Sequence, residues 1–148
     1  MKLDNFDLEK YQEYNIEHKS VITLIDNDVA SKQYIGDIFL LINNTLKRYE
    51  ENNIDSIYIA YYNSNPIGFI SLNILNDNAF ISYALLKEYQ HQHLAALLLQ
   101  EFSEKLFEIY NFDDIYLDIN PKNIASIKTS SLVGFKEVSS TKYNLPKM

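Results

Sequence analysis

The sequence predicts an α+β domain built on a mixed, mostly antiparallel central sheet flanked by helices. Two observations carry this. Three strand-like segments follow one another between residues 56 and 86 with only short polar turns between them, the pattern of an antiparallel meander. The chain then alternates a helical segment, a strand, a second helical segment and closing strands, which adds helices and a crossover to that meander.

The opening Met1 to Ile16 is mixed and charged, with Phe6, Leu8 and Tyr11 as its only apolar anchors, and it carries no assignable element. Val21-Ile22-Thr23-Leu24-Ile25 is rich in β-branched residues and bounded by Asp26-Asn27-Asp28, so it predicts a short strand. From Ser31 to about Asn52, Ile35, Ile38, Phe39, Ile42, Leu46 and Tyr49 recur at the spacing of one helical face and predict one long helix. Ser56 to Tyr62 and Ile67 to Leu75 read as strands joined by the turn Asn63-Ser64-Asn65-Pro66. After Asn76-Asp77-Asn78 comes a third, Ala79 to Leu86, with Phe80, Ser82 and Ala84 alternating against Ile81, Tyr83 and Leu85.

A helix follows, from about His91–Leu94 to Tyr110. Leu94, Leu98, Phe102, Leu106 and Ile109 form its apolar face, and Gln100, Ser103, Glu104 and Glu108 its polar one. Asp114 to Ile119 is a strand. Asn120-Pro121 offers a cap and a first-turn proline for a last helix, with Ile124, Ile127 and Leu132 facing inward and Gly134 as a left-handed stop. Phe135 to Ser139 and Lys142 to Leu145 can close the sheet. No linker, repeat or low-complexity tract divides residues 1–148, so one domain is expected.

Composition narrows the function. Hydrophobic residues make up 47% and charged ones 22%, a globular balance. The net charge of −7 and pI near 4.9 disfavour a nucleic-acid partner, which demands clustered Lys and Arg, and would welcome a cationic substrate. With no cysteine, disulfides, thiolate metal sites and a Cys nucleophile are excluded. His91-x-His93 lacks a carboxylate at ligand spacing, so no metal is expected. Met1-Lys2-Leu3-Asp4-Asn5 lacks the apolar core of a signal peptide, and no run approaches the ~18 apolar residues of a membrane span. A cytoplasmic protein without membrane association is the expectation, as a monomer or as a homodimer through exposed strand edges near the C-terminus.

Ile67-Gly68-Phe69-Ile70-Ser71-Leu72, then Ile81 to Gln90, then Asn123-x-x-Ser126 and Gly134-Phe135 resemble, in order and spacing, the GNAT superfamily of acyl-CoA N-acetyltransferases. More narrowly they resemble its branch related to ribosomal-protein N-terminal acetyltransferases. The likeness covers about residues 55 to 140. It implies that the strand ending at Leu86 splays from the one ending near Ile119, leaving main-chain groups of Leu85 and Leu86 to hold the pantetheine of acetyl-CoA, the co-substrate. It also implies a diphosphate seat on helix N-terminal amides from Gln90 through His91, Gln92, His93, Leu94 and Ala95 to Ala96, with Asn123 and Ser126 completing the contacts.

That loop departs from the family pattern. His93 stands where the family carries glycine, and no Lys or Arg accompanies it, leaving Gln92 or a protonated His91 or His93 for the phosphates. In the first helical turn only negative φ is expected, which histidine tolerates. Both histidines also read as solvated turn residues. The Tyr that many members place seven residues after the motif Asn is here Ser130, so the resemblance points to Ser126 as the acid for the departing thiol; its other reading is a helix-terminal Ser bonded to its own backbone. Asp118 is the candidate base, against a simple solvent-facing Asp or an ordered water. Ser82 and Tyr83 are candidates for lining the acceptor site. Two classes follow: an acetyl-CoA-dependent N-acetyltransferase acting on a primary amine, of a peptide N-terminus or a small molecule, by direct attack in a ternary complex, and a catalytically impaired domain of that shape used for binding or as a scaffold.

Overall fold

Two antiparallel blocks of strands meet in one sheet through a single short parallel seam. The computed structural model describes residues 1–148. Its elements are β1 (Asp7–Lys10), α1 (Ile16–Asp26), α2 (Val29–Ile35), α3 (Ile38–Asn52), β2 (Ser56–Tyr62), β3 (Asn65–Leu75) and β4 (Asn78–Leu85). A 3-10 turn at Lys87–Tyr89 leads to α4 (Leu94–Ile109), β5 (Asp114–Asp118), α5 (Ile124–Val133), β6 (Lys136–Glu137) and β7 (Lys142–Pro146). The strand order is β1-β2-β3-β4-β5-β7-β6. Every neighbouring pair is antiparallel except β4 and β5. No helix is long and apolar enough to cross a membrane.

The meander forms as its turn residues dictate. Asn63 and Ser64, then Asn76 and Asp77, all have positive φ, the backbone that lets a two-residue turn match strand twist. Alternation then sends side chains to two cores. Tyr58, Ile70, Ile81, Leu85, Ile115 and Leu117 pack with Leu98 and Phe102 of α4 on one face. Ile57, Ile59, Phe69 and Ala84 pack with Val21, Ile22, Ile38 and Ile42 of α1 and α3 on the other. The sheet therefore separates α4 and α5 from α1, α2 and α3.

Several elements differ from expectation, each for a physical reason. Val21 to Ile25 lies in α1, not in a strand. His18, Val21, Ile22 and Ile25 are buried at helical spacing, and Asn15 caps the helix by accepting from the His18 N–H at 3.0 Å. Burial of that stripe outweighs the β-propensity of the run. The long helix over 31–52 is two helices. Gly36 ends α2 at φ 84°, and Asp37 caps α3 through the Leu40 N–H at 3.1 Å. The buried stripe of α3 is Ile38, Ile42 and Thr45, while Leu46 and Tyr49 are exposed.

Near the C-terminus, α5 starts later than Asn120-Pro121 suggests. Asn120 accepts from the Lys122 N–H in a turn, and Asn123 is the cap. Ile124 and Leu132 point outward, whereas Ile127 packs on the core. In α4, Ser103 is buried and Ile109 is exposed, the reverse of their expected faces. The N-terminal segment contributes β1, which the sequence left unassigned because only Leu8 of its four residues is buried.

One glycine links this framework to the cleft described below. Gly68 on β3 lies opposite Leu85 on β4, and a Cβ there would press on the Ala84 carbonyl oxygen and sit 2.8 Å from the Leu85 Cα. The end of β4 can lie where it does only because residue 68 has no side chain. Gly68→Ala is expected to cost about 1–3 kcal/mol in urea unfolding and to move the Leu85 amide resonance; an unchanged midpoint and spectrum would show that the strands yield freely.

Candidate active site

β4 and β5 pair only at Ala79↔Ile115 and Phe80↔Tyr116. The last pair is fastened. The Phe80 and Tyr116 rings lie 5.5 Å apart, and Lys142 of β7 places its ammonium 5.0 Å from the centre of the Tyr116 ring. Beyond it the strands diverge, and a cleft of about 510 Å³ opens between them, lined from both faces of the sheet. α2 supplies Ser31 and Tyr34 on one side, and α5 supplies Ser126 and Thr129 on the other. The cleft runs through the sheet.

Along β4, main-chain groups alternate between β3 and this gap. The Leu86 N–H donates to Ile67 O at 2.7 Å and the Leu86 carbonyl accepts from Tyr89, so both are committed and Leu86 offers nothing to the cleft, contrary to expectation. Alternation turns Leu85, and Tyr83 before it, toward the gap. The Leu85 carbonyl accepts from Gln90 Nε2 at 3.0 Å, and the same amide nitrogen lies 3.4 Å from Asp28 Oδ2. Asp28 is the N-cap of α2 and also holds the Ser31 hydroxyl. Gln90 thereby ties the end of β4 to the helix across the gap, a tie the sequence analysis did not foresee.

The loop into α4 corrects one expectation directly. His93, the N-cap, sits at φ 61° and His91 at φ 63°, so both adopt the left-handed backbone that glycine favours. Histidine takes this conformation more readily than most side chains, and both rings are exposed, which is how the loop forms without glycine. His93 makes no side-chain cap bond, so the first amides of α4, at Leu94, Ala95 and Ala96, carry the helix's positive end without one. Gln92 Nε2 is turned back onto the Glu88 carbonyl at 2.8 Å, and the Leu94 side chain belongs to the core. Ala95, Gln90 and His91 line the cleft; Gln92, His93, Leu94 and Ala96 do not.

On the α5 side, Asn123 Oδ1 caps the helix by accepting from the Ser126 N–H at 3.2 Å. The Ser126 hydroxyl does not fold back onto its own helix. It lies 3.0 Å from the Tyr83 hydroxyl. Burial pushes the Tyr83 phenol above its ordinary value of 10.0, while the hydroxyls of Ser126 and Thr129 pull it the other way. Ser130 donates to the Ile127 carbonyl at 2.8 Å and is fully buried, so it faces no cleft. Asp118, exposed at the end of β5, shares the opposite face with Ser82, since Leu117 and Ile119 turn toward α4. The cleft thus brings together Ser82, Tyr83, Leu85, Asp118, Asn123 and Ser126. Tyr83 and Ser126 stand on one side of the sheet and Asp118 and Ser82 on the other.

Comparison with known proteins agrees with this geometry. The model of the acetyltransferase (GNAT) family matches residues 14–135. An N-alpha-acetyltransferase of Sulfurisphaera tokodaii is 33% identical over 58 residues, which is 39% of this chain and 35% of that relative, so the match spans about a third of its length. The crystal structure of an acetyltransferase from Agrobacterium tumefaciens strain C58 superposes with a TM-score of 0.80 at 11% identity, covering 99% of this chain and 94% of that one. An acetyltransferase from Salmonella typhimurium that modifies the N-terminal serine of ribosomal protein L7/L12 gives 0.75 at 14% identity, covering 98% and 96%.

The left-handed backbone at His93 generates a test. His93→Gly is expected to stabilise the fold by about 0.5–1 kcal/mol, the relief of a side chain from that region less the added freedom of the unfolded chain. Ala96→Gly, inside the helix, should lose a similar amount. Guanidinium unfolding measures both, and a destabilised His93→Gly would mean that the imidazole makes contacts worth more than the strain.

Proposed function

The chain belongs to the acetyltransferase (GNAT) family, and we propose that as a single domain it transfers the acetyl group of acetyl-CoA to a primary amine, on a peptide N-terminus or a small molecule, by direct attack in a ternary complex. The observation that carries this reading is the cleft itself, open on both faces of the sheet where β4 leaves β5. Its chemistry suits the co-substrate. The outward main-chain groups of β4 other than the Leu85 carbonyl, which Gln90 holds, are matched to an extended, amide-bearing arm, and the amides at the start of α4 to an anionic tail, without any Lys or Arg in that loop. Acetyl-CoA supplies an acyl carbon already activated by its thioester.

The protein's share is orientation and proton handling. The Leu85 N–H is the donor that polarises the acyl carbonyl, and Asn123 holds the start of α5 against the cleft. Ser126 gives the proton that the departing sulfur needs, and Asp118 takes the one that the attacking amine sheds. Their placement on opposite faces of the sheet supports the assignment, because it keeps the group that takes a proton from the amine apart from the group that gives one to the sulfur. Ser82, with Ser31 and Tyr34 of α2, lines the acceptor side, and the acidic balance of the chain favours a cationic acceptor.

Acetyl-CoA at a hundredfold excess over its Kd is expected to stabilise the protein by about 2.7 kcal/mol, seen as a rise in Tm. Thiol release with peptides bearing free N-termini and with polyamines then reports transfer. A flat thermal response at millimolar acetyl-CoA would favour the binding or scaffold class instead. Ser126→Ala should lower kcat about 10²-fold and leave the KM for acetyl-CoA within about threefold; unchanged turnover removes Ser126 from the acid role.

A further inference from the structure

We propose that Tyr83 is a positioning and proton-supplying residue for acetyl transfer, orienting the Ser126 hydroxyl and replacing the proton that Ser126 passes to the departing sulfur. This rests on the reading of Ser126 as the acid. The Tyr83 and Ser126 oxygens lie 3.0 Å apart, hydrogen-bond distance, on the α5 side of the cleft. Thr23, Thr45 and Ser130 turn their hydroxyls onto carbonyls of their own helices, at Lys19, Leu41 and Ile127, each at 2.8 Å. Ser126 instead gives its backbone N–H to Asn123 and keeps its hydroxyl for Tyr83. With Tyr83 as donor, the hydroxyl hydrogen of Ser126 is free to point into the gap.

The chemistry explains why a partner is needed. An alcohol holds its proton about as tightly as water, with a pKa of ~15.7 against ~8.5 for a thiol, so serine alone donates against about seven powers of ten. A phenol stands far closer to the thiol. A phenol at its ordinary value of 10.0 is protonated through the neutral range and burial shifts Tyr83 further that way, so the proton is there to give. In the step itself the amine nitrogen bonds to the acetyl carbon, and the C–S bond breaks with its electron pair left on sulfur. Ser126 passes its proton to the sulfur as Tyr83 passes its own to Ser126. Asp118 takes the proton shed by the amine and releases it to solvent, from which Tyr83 is reprotonated, so the products are an amide, a thiol and the unchanged protein. The other titratable groups on this cleft are Asp118 on the far face of the sheet, His91 at the mouth of α4 and Tyr34 of α2.

The test replaces Tyr83 with a fluorinated tyrosine, which keeps the shape and hydrogen bond but ionises at lower pH. The alkaline limb of kcat is expected to move down in pH by the amount the phenol is acidified, while the KM for acetyl-CoA stays within about threefold. Tyr83→Phe should lower kcat at least tenfold, and Tyr83→Phe combined with Ser126→Ala should be no slower than Ser126→Ala alone, since both act in one relay. A fluorotyrosine profile that superimposes on the wild type, or losses that multiply in the double variant, overturns the relay and leaves the Ser126 reading standing. If Ser126→Ala itself keeps full turnover, that reading falls and the relay with it. The fluorotyrosine protein keeps the outcome decisive should Tyr83→Phe fail to fold.

Discussion

The brevity of the β4–β5 seam governs this molecule. A strand inside a sheet normally satisfies its polar main chain on both sides, and burial without partners is costly. β4 does so with β3 along its whole length but with β5 at only two residue pairs. The rings of Phe80 and Tyr116, with Lys142 above them, fix where the pairing stops. Everything of chemical interest is placed by that stop. The helices cannot close the gap either, because α4 and α5 keep to one side of the sheet and α1 to α3 to the other.

Two consequences for reactivity follow from where the sheet divides. Side-chain alternation is rigid, so neighbours in sequence such as Ser82 and Tyr83 must serve opposite sides. Ser82 and Asp118 thereby stand on one side of the cleft, Tyr83 and Ser126 on the other. Gln90 spans the divide, touching Leu85 on β4 and Asp28 at the start of α2.

Much of this was legible in the sequence, where period and turn chemistry agreed. The meander from Ser56 to Leu86 carries alternation and Asn-rich turns, and the structure follows both. Legibility failed where two signals competed. Val21 to Ile25 has β-branched composition and helical spacing together, and only its tertiary partners decide the matter. Gly36-Asp37 holds both a stop and a cap, but the apolar spacing around it runs on as if unbroken. Within the cleft, the family resemblance pointed to Leu85 on β4, Asp118 on β5 and Asn123 and Ser126 at α5, all of which line it. The contributions of Ser31 and Tyr34 were hidden because α2 was not seen as a separate helix. The pairing of Tyr83 with Ser126 was equally hidden, since it joins residues 43 apart that share a face only once β4 and α5 are docked. Backbone angles at His91 and His93 were beyond a reading that granted histidine negative φ alone.

The outward main chain of β4, where it leaves β5, has an evolutionary corollary. Every residue type but proline brings the same N–H and C=O, so mutation can rewrite the side chains along such a groove while its contour and polarity persist. At the glycine of position 68 path and letter are the same thing, because any side chain there would press on the Ala84 carbonyl.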